Sequence, residues 1–411
     1  MKGKSLIDWS YLRSFLKPPE GVLRPKGIWY FTRPAKSDKV FLISMLLVLV
    51  AGLLSLYSAS YAYSYYVNDG DSYYYIVSQL KYVGLGLGFM VIISHIDYHI
   101  LHRLAVPIFL LSEALLTVVL FLPATHGVRR WIKFTSTFRF QPSELAKFAI
   151  ILLFAHLIIH LKDDMKTFRK GFLLFGFLLG ITCVPVLLEP HLSGTILVAC
   201  LGVALMFIGG TRGRWIFITF LVGLAVVALA VFVFGYEKDR FDVLLDPLGV
   251  YTSDVKYDGD RTGRDVAWQT VQSLYAIGSG GLIGEGFGNS RQKHLFLPEP
   301  QNDFIFSVVC EELGWIGAVV IILLFVFFLW RGFVIGMQAP DKFGSLLAIG
   351  ITTQVGLQVA MNLAVISNSM PNTGISLPFF SYGGSSMIML LMEMGVMLSI
   401  SRQGRYYSGK E

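Results

Sequence analysis

Ten stretches of roughly 20 mostly apolar residues follow one another along this 411-residue chain, and that is the length a helix needs to cross a hydrocarbon layer. They centre on residues 40–60, 80–96, 100–122, 144–161, 171–188, 194–210, 215–235, 303–330, 343–365 and 384–400. With 54% hydrophobic and 15% charged residues, the chain has more apolar surface than a water-facing fold can hide. Inside a bilayer each segment must satisfy its own backbone, which runs of this size do as helices. The expected fold is all-α, a polytopic membrane protein of about ten transmembrane helices. The first run begins at Val40 and is too long for a signal-peptide core, so no cleaved signal is expected. Cys183, Cys200 and Cys310 sit in apolar runs without metal spacing, and no disulfide framework is expected.

Short cytoplasmic loops are rich in Lys and Arg. Residues 1–39 hold nine of these against three acids, which places a 1–39 tail inside. Arg103, Lys162 to Lys170, Arg212 with Arg214, Arg331 with Lys342, and Arg402 with Arg405 then fall inside as well. The expected layout is a transmembrane domain over 40–402, a large external loop over 236–302 between the seventh and eighth helices, and a cytoplasmic tail over 403–411. One external loop breaks the charge rule, because Thr125–Gln141 carries Arg129, Arg130, Lys133 and Arg139. An anionic ligand at the outer face would account for it; tolerance of one short basic loop is the plainer alternative.

Chemistry-bearing residues gather on the same side. Asp303 follows Pro298, Glu299, Pro300 and Asn302 at the lip of a long apolar run. Asn302 is a good helix N-cap, and an Asp in a first helical turn favours the macrodipole and stays ionised. An ionisable group at membrane depth is nonetheless a functional candidate by default. Arg129 and Arg130 offer forks suited to phosphate, with Trp131 at the interfacial level. In Gln141-Pro-Ser-Glu-Leu-Ala-Lys147, Glu144 and Lys147 share a helix face, either as a local ion pair or with Lys147 on a lipid phosphate. The Gly-rich run from Gln272 to Lys293 has neither dinucleotide nor P-loop spacing, so nucleotide binding is rejected and no nucleic-acid partner is expected. Its flexible backbone could hug a ligand.

Gln354, Gln358 and Asn362 line one helix face, as interhelical glue or as cavity wall. The following Met370–Ser386 segment, with two prolines and three glycines, reads as re-entrant and buried in protein. Glu113, Glu311, Glu312 and Glu393 each need a partner or a wet cavity. His95-Ile-Asp97-Tyr-His99 has metal-ligand residue types, but polar residues are ordinary at an interface.

Taken in order, Val-Arg-Arg-Trp-Ile132, Gln141-Pro-Ser-Glu-Leu-Ala-Lys147, Ala276-Ile-Gly-Ser-Gly-Gly281, Gly286-Phe-Gly-Asn-Ser-Arg-Gln-Lys293, Leu297-Pro-Glu299, Asp303-Phe-Ile-Phe306, Glu311-Glu-Leu-Gly314, Pro371-Asn-Thr-Gly-Ile-Ser-Leu-Pro378 and Ser381-Tyr-Gly-Gly-Ser-Ser386 resemble the SEDS family of FtsW/RodA-like proteins. Members of that family polymerise peptidoglycan glycan strands from lipid II, and the resemblance spans roughly Val40 to Ile400. It implies an inverting glycosyltransferase in the bacterial plasma membrane with Asp303 as the catalytic aspartate. Arg129, Arg130, Trp131, Glu144 and Lys147 are implied in substrate binding. So are Gln272, Ser273, Gly280, Gly281, Asn289, Gln292, Lys293 and Glu299 in the outer run, and Pro371, Thr373, Gly374, Ser381, Gly383 and Ser385 beyond it. A divalent cation, magnesium or manganese, could assist; no intrinsic cofactor is implied. The implied partners are lipid II, membrane lipids and a class B penicillin-binding protein transpeptidase. Where many members have Pro-Asp-Leu-Gly-Thr, this chain has Glu189-Pro-His-Leu-Ser-Gly-Thr195, which leaves the role of His191 open. The Pro-Glu-Pro-Gln-Asn-Asp wording is closer to division and sporulation members than to elongation members. A lipid II flippase would also show ten helices and intramembrane acids, but would place its polar groups near the midplane in paired repeats; a non-catalytic scaffold would not need Asp303.

Overall fold

The computed structural model describes residues 36–123, 129–134, 139–189, 192–232, 238–253, 262–372 and 374–407. The expectations for residues 1–35, for His191 and for Thr373 lie outside these, as do parts of the 236–302 loop and the end of the C-terminal tail. Eight helical segments among the described residues are long and apolar enough to cross a membrane. They are α1 (Lys39–Val67), α2 (Tyr74–His95), α3 (His99–Leu120), α4 (Pro142–Leu161, with a following turn to Lys166), α5 (Leu174–Leu188, led by a wider turn from Phe168), and, after a break, α11 (Ile305–Met337), α12 (Lys342–Ile366) and α13 (Gly384–Tyr407). Two shorter apolar helices lie between, α6 (Leu192–Ile208) and α7 (Gly213–Phe232). Three further helices, α8 (Lys238–Leu245), α9 (Pro247–Thr252) and α10 (Gly263–Ser279), fill much of the 236–302 segment. This is a multi-pass helical membrane protein.

The membrane-crossing helices are apolar on nearly all sides, as segments solvated by lipid should be. Burial sorts them. α4 and α13 are the most enclosed and α12 follows; α4 packs on α3, α12 and α6, while α13 lies along α2. Leu47, Val50 and Leu54 of α1 and Leu110 and Leu111 of α3 point outward, where only lipid can cover them. α4 starts at Pro142, whose missing N–H costs nothing in a first turn. Between it and α3, Ile132–Lys133 (β1) pairs antiparallel with Arg139–Phe140 (β2).

Two irregular segments invade the bundle. Residues 367–372 and 374–383 follow α12, and Phe379 and Phe380 are buried against Phe328 and Phe325 of α11. These lie about twenty residues along that helix, roughly 30 Å from its start, so the segment is re-entrant and enclosed by protein. Gly52 of α1 lets it in, since a Cβ there would strike the Phe379 carbonyl. The second invader is the Gly-rich run. α11 breaks at Gly314 (φ 64°, ψ −170°), and there it pairs by main chain with residues 281–286. Glu285 N donates to Glu311 O (3.0 Å), Gly286 N to Glu312 O (3.0 Å) and Trp315 N to Gly281 O (2.9 Å). A Cβ at Gly280 or Gly284 would collide with the α11 backbone. The glycines serve close backbone packing here, where a flexible ligand-hugging loop was expected.

Candidate functional site

Asp303 precedes α11. Phe304 is the cap residue and makes no side-chain capping bond, and the Asn302 amide instead donates to Glu299 Oε2 (2.7 Å). The expectation of an Asn302 cap with Asp303 in the first turn is thus corrected: the local Glu299–Asn302 bond outcompetes capping. Three groups hold the turn. Asn362 Nδ2 donates to Asp303 O (2.7 Å) and to Ile375 O (2.8 Å). Ser381 Oγ donates to Asn302 O (2.8 Å), and Tyr382 N to Gln301 O (2.9 Å). Below the turn, Ser273 of α10 bonds Ser307 of α11 (2.7 Å) and Ile366 O (2.9 Å). Residues from α10, α11, α12 and the re-entrant segment therefore converge on one short turn.

The Asp303 carboxyl is half-buried. Gly374, at φ 72°, lies so close that a Cβ there would meet Asp303 Oδ2 at 3.4 Å. Burial pushes Asp303 up to about 6, and the negative Glu299 adds to this, while Arg130 and Arg240 pull it down. Desolvation outweighs the cationic neighbours. Arg130 donates from Nε to Glu189 O (3.0 Å), and burial lifts the fully enclosed Glu189 carboxyl to about 8 against the pull of Arg130. Arg240 of α8 donates to Asn372 O (2.6 Å). It also lines an open cavity of about 410 Å³ together with Asp239, Asp265, Trp268, Gln269 and Asn372, a size that suits a small-molecule or sugar subsite. Gln269 accepts from Asn372 Nδ2 (2.9 Å) and Trp268 Nε1 donates to Phe296 O (2.6 Å), which fixes the cavity wall.

The structure brings Asp303, Glu299, Arg130 and Gly374 together, with Ser381, Ser273 and Asn362 beneath them. Trp131 is half-buried beside Arg130, and Pro371 lies next to Asn372 at the cavity. Arg129 points elsewhere, donating to Leu120 O (3.0 Å). Gln272 is buried in α10. Gly383 N donates to Gln79 Oε1 (3.2 Å), which ties the end of the re-entrant segment to α2, and Gln141 N donates to Ser385 Oγ (3.3 Å), which ties the start of α13 to the residue before α4.

A second group of candidates lies at the break in α11. The buried Lys293 ammonium pairs with Glu312 (2.8 Å) and donates to Ser58 Oγ (3.0 Å) and Gly288 O (2.7 Å). Glu311 accepts from Ser290 Oγ and from the main chain of Arg291 and Gln292. Asn289 donates to Glu285 O (3.1 Å). This set, with Gly280 and Gly281, locks the loop to α1 and α11. A third group is internal: Lys147 pairs with Glu144 (2.9 Å), and Glu144 shares a small polar void with Ser381, Gln354, Gln358 and Glu393. Gln354 donates to Glu393 (3.0 Å), so of the polar stripe on α12 Asn362 supports the Asp303 turn and Gln354 supplies a hydrogen bond to a buried acid.

Arg240, Asn372 and Gln269 were not singled out from sequence. Arg240 shares the acidic Glu237–Asp260 stretch with Lys238 and Lys256, so nothing in the residue order sets it apart. The His95–His99 segment proves to be a clamp. His99 bonds Asp97 (2.6 Å) and Asp341 (2.5 Å), and Tyr98 and Gln403 complete the set. It joins the α2–α3 turn to α12 and α13.

A family model described as "Cell cycle protein", that of FtsW, RodA and SpoVE, matches residues 38–406. The chain is 37% identical over 385 residues to stage V sporulation protein E of Bacillus subtilis, covering 91% of this chain and 100% of that one. It is 34% identical over 372 residues to a probable peptidoglycan glycosyltransferase FtsW of a Geobacter species, covering 90% and 97%. Among solved structures, a chain reported under "Structural coordination of polymerization and crosslinking by a peptidoglycan synthase complex" superposes with a TM-score of 0.73 at 26% identity, covering 90% of this chain and 98% of that one. The rod shape determining protein RodA of Thermus thermophilus superposes with a TM-score of 0.64 at 26% identity, covering 89% and 97%. In sequence over nearly its whole length, and in the arrangement of its helices, the chain belongs to the FtsW/RodA/SpoVE family of cell cycle proteins.

Proposed function

We propose that this protein is a peptidoglycan glycosyltransferase that polymerises lipid II into β1,4-linked glycan at the outer face of the bacterial plasma membrane, with Asp303 as general base. The observation that carries the reading is the half-buried Asp303 carboxyl on a turn held by Asn362 and Ser381 and close to Gly374, lifted to about 6 by burial against the pull of Arg130 and Arg240, with Arg240 also lining an open cavity. A group of that strength is ionised at neutral pH yet basic enough to take a proton in a transition state.

In the reaction, Asp303 accepts the proton of the 4-hydroxyl of an N-acetylglucosamine. That oxygen attacks C1 of an α-linked N-acetylmuramic acid from the face opposite its diphosphate. The C1–O bond to undecaprenyl diphosphate breaks, the anomeric centre inverts, and the lipid diphosphate leaves with the bonding pair. Arg130 and Arg240 meet its growing charge, a contribution of the kind that guanidinium clamps make to phosphoryl leaving groups. Glu299 and Asp303 present hard oxygen donors on one short turn, a set that suits magnesium or manganese; such an ion would add charge stabilisation there.

In this arrangement α6 and α7 cross the membrane with the eight longer segments, giving ten spans, both termini cytoplasmic and the 236–302 segment outside. A class B penicillin-binding protein transpeptidase is the partner that would cross-link the product.

The test is polymerisation of fluorescent lipid II by the purified protein, with and without its transpeptidase, beside Asp303→Asn. Polymer from wild type alone, with both proteins equally folded, supports the assignment. Equal polymer from both removes Asp303 as base, and no polymer under either condition returns the flippase reading.

A further inference from the structure

Three of the chain's eight histidines meet at the end of the bundle far from Asp303. His156 and His160 lie four apart on α4, hence on one face. His102 comes from the first turn of α3, the helix packed against it. Ring centroids are 4.3 Å apart for His102 and His156, 4.5 Å for His156 and His160, and 5.5 Å for His102 and His160. One ring nitrogen from each lies within 4.8 Å of the other two. The His102 ring also packs on Phe343 (4.8 Å) at the start of α12, whereas Asp303 is held by Asn362 near that helix's other end.

The protons are instructive. His160 Nδ1 donates to His156 O (3.0 Å), so the neutral ring keeps its lone pair on Nε2. His102 and His156 approach Nδ1 to Nδ1 at 2.8 Å, which leaves room for one shared proton. His102 Nε2 is buried with no hydrogen-bond partner. A cluster that exists only to fill space would not be expected to gather three imidazoles in an apolar interface and leave a ring nitrogen unsatisfied.

We propose that His102, His156 and His160 bind one divalent transition-metal ion of the zinc class, cross-linking α3 to α4. Imidazole nitrogens suit zinc, copper and nickel. Zinc–nitrogen bonds of about 2.0–2.1 Å set tetrahedral ligand nitrogens about 3.3 Å apart, inside the 4.8 Å within which one ring nitrogen of each histidine lies here. The main-chain bond at His160 orients its ring as such bonds do behind metal-ligating histidines. With no carboxylate in the set, the hard cations magnesium and calcium are excluded. His160 is only half-buried, which leaves a way in for the ion and a fourth position for water. His99, the nearest further imidazole on α3, is held by Asp97 and Asp341.

The experiment uses the full chain in detergent, purified without a polyhistidine tag, stripped with chelator and titrated with cobalt chloride, then zinc chloride. One equivalent of cobalt should give visible ligand-field bands, zinc should displace them, and zinc should raise the unfolding temperature. His102→Ala should remove the bands. Because a buried ring can be needed for folding, His160→Gln is run beside it, with its native fold checked by circular dichroism; affinity should fall by about 10–100-fold or more. His294→Ala, exposed and outside the cluster, should bind as wild type does. Absence of bands in wild type, equal affinity in folded His160→Gln, or loss of the bands in His294→Ala would each overturn the proposal.

Discussion

Arg130 donates through Nε to the main-chain oxygen of Glu189 at 3.0 Å, and from that seat its charge acts on both the Glu189 carboxyl and Asp303. The fixed end of α5 thus aims a guanidinium from the loop before α4 at the turn before α11. Neither partner touches the other in sequence.

If Arg130 meets the leaving diphosphate, Arg130→Ala should lower the initial polymerisation rate by about 10²–10³-fold. Lysine should restore little, because it lacks the planar fork. Arg129→Ala should cost less, as Arg129 is turned toward Leu120. Initial rates on fluorescent lipid II decide it; an Arg130→Ala enzyme running at the wild-type rate would end the role.

The rate should rise about tenfold per pH unit at low pH and level off above about 6, the value to which burial lifts Asp303. Arg240→Ala removes a cation that lowers this pKa, so the limb should move to higher pH; Glu299→Gln removes an anion that raises it, so the limb should move lower. Between the ordinary 3.8 and about 6 the folded protein holds a proton that the unfolded chain has released. The contribution of this group to stability therefore falls as pH rises through that window. A limb that stays put in both variants would detach it from Asp303.

Asn362→Ala strips the amide from two carbonyls, Asp303 O and Ile375 O. A misplacement of about 1 Å at Asp303 is expected to lower turnover about 10²-fold, with a stability loss of about 1–3 kcal/mol for the unsatisfied groups. Single-turnover rates and thermal melts together test this: full turnover in a destabilised variant would make Asn362 a purely structural residue.

Lys293→Met should leave Glu312 buried without its counter-ion and destabilise the protein by about 3–5 kcal/mol. The double variant with Glu312→Met should recover part of that loss, since the charge left behind is gone. Melting temperatures of the two singles and the double read the coupling. Were Lys293 instead a substrate ligand, the single variant would melt like wild type and bind lipid II poorly.

Much of this was readable from residue order. Asp303, Arg130 and Gly374 were marked by motifs and do meet. The re-entrant segment was marked by Pro371, Pro378 and its glycines, and does plunge into the bundle. The Gly280–Gly288 run was misjudged because a glycine needed for positive φ or close packing looks, in one dimension, like a glycine kept for flexibility. Asn302 was misjudged as a cap because its competitor, Glu299, forms a turn whose geometry depends on Ser381 and Tyr382, some eighty residues away.

The sequence by itself determined that the chain lives in a membrane as helices and where the breaks between them fall. Run length against bilayer thickness and the backbone tolerance of Pro and Gly are local properties. Which charges face each other was decided only by the tertiary structure. Lys293 closes on Glu312 and Ser58, Arg240 donates to Asn372 O, and His102 meets His156 and His160 because packed segments bring distant residues within a few ångströms. Desolvation and ion pairing depend on those neighbours, so the strength of Asp303 as a base is a property of the assembled bundle.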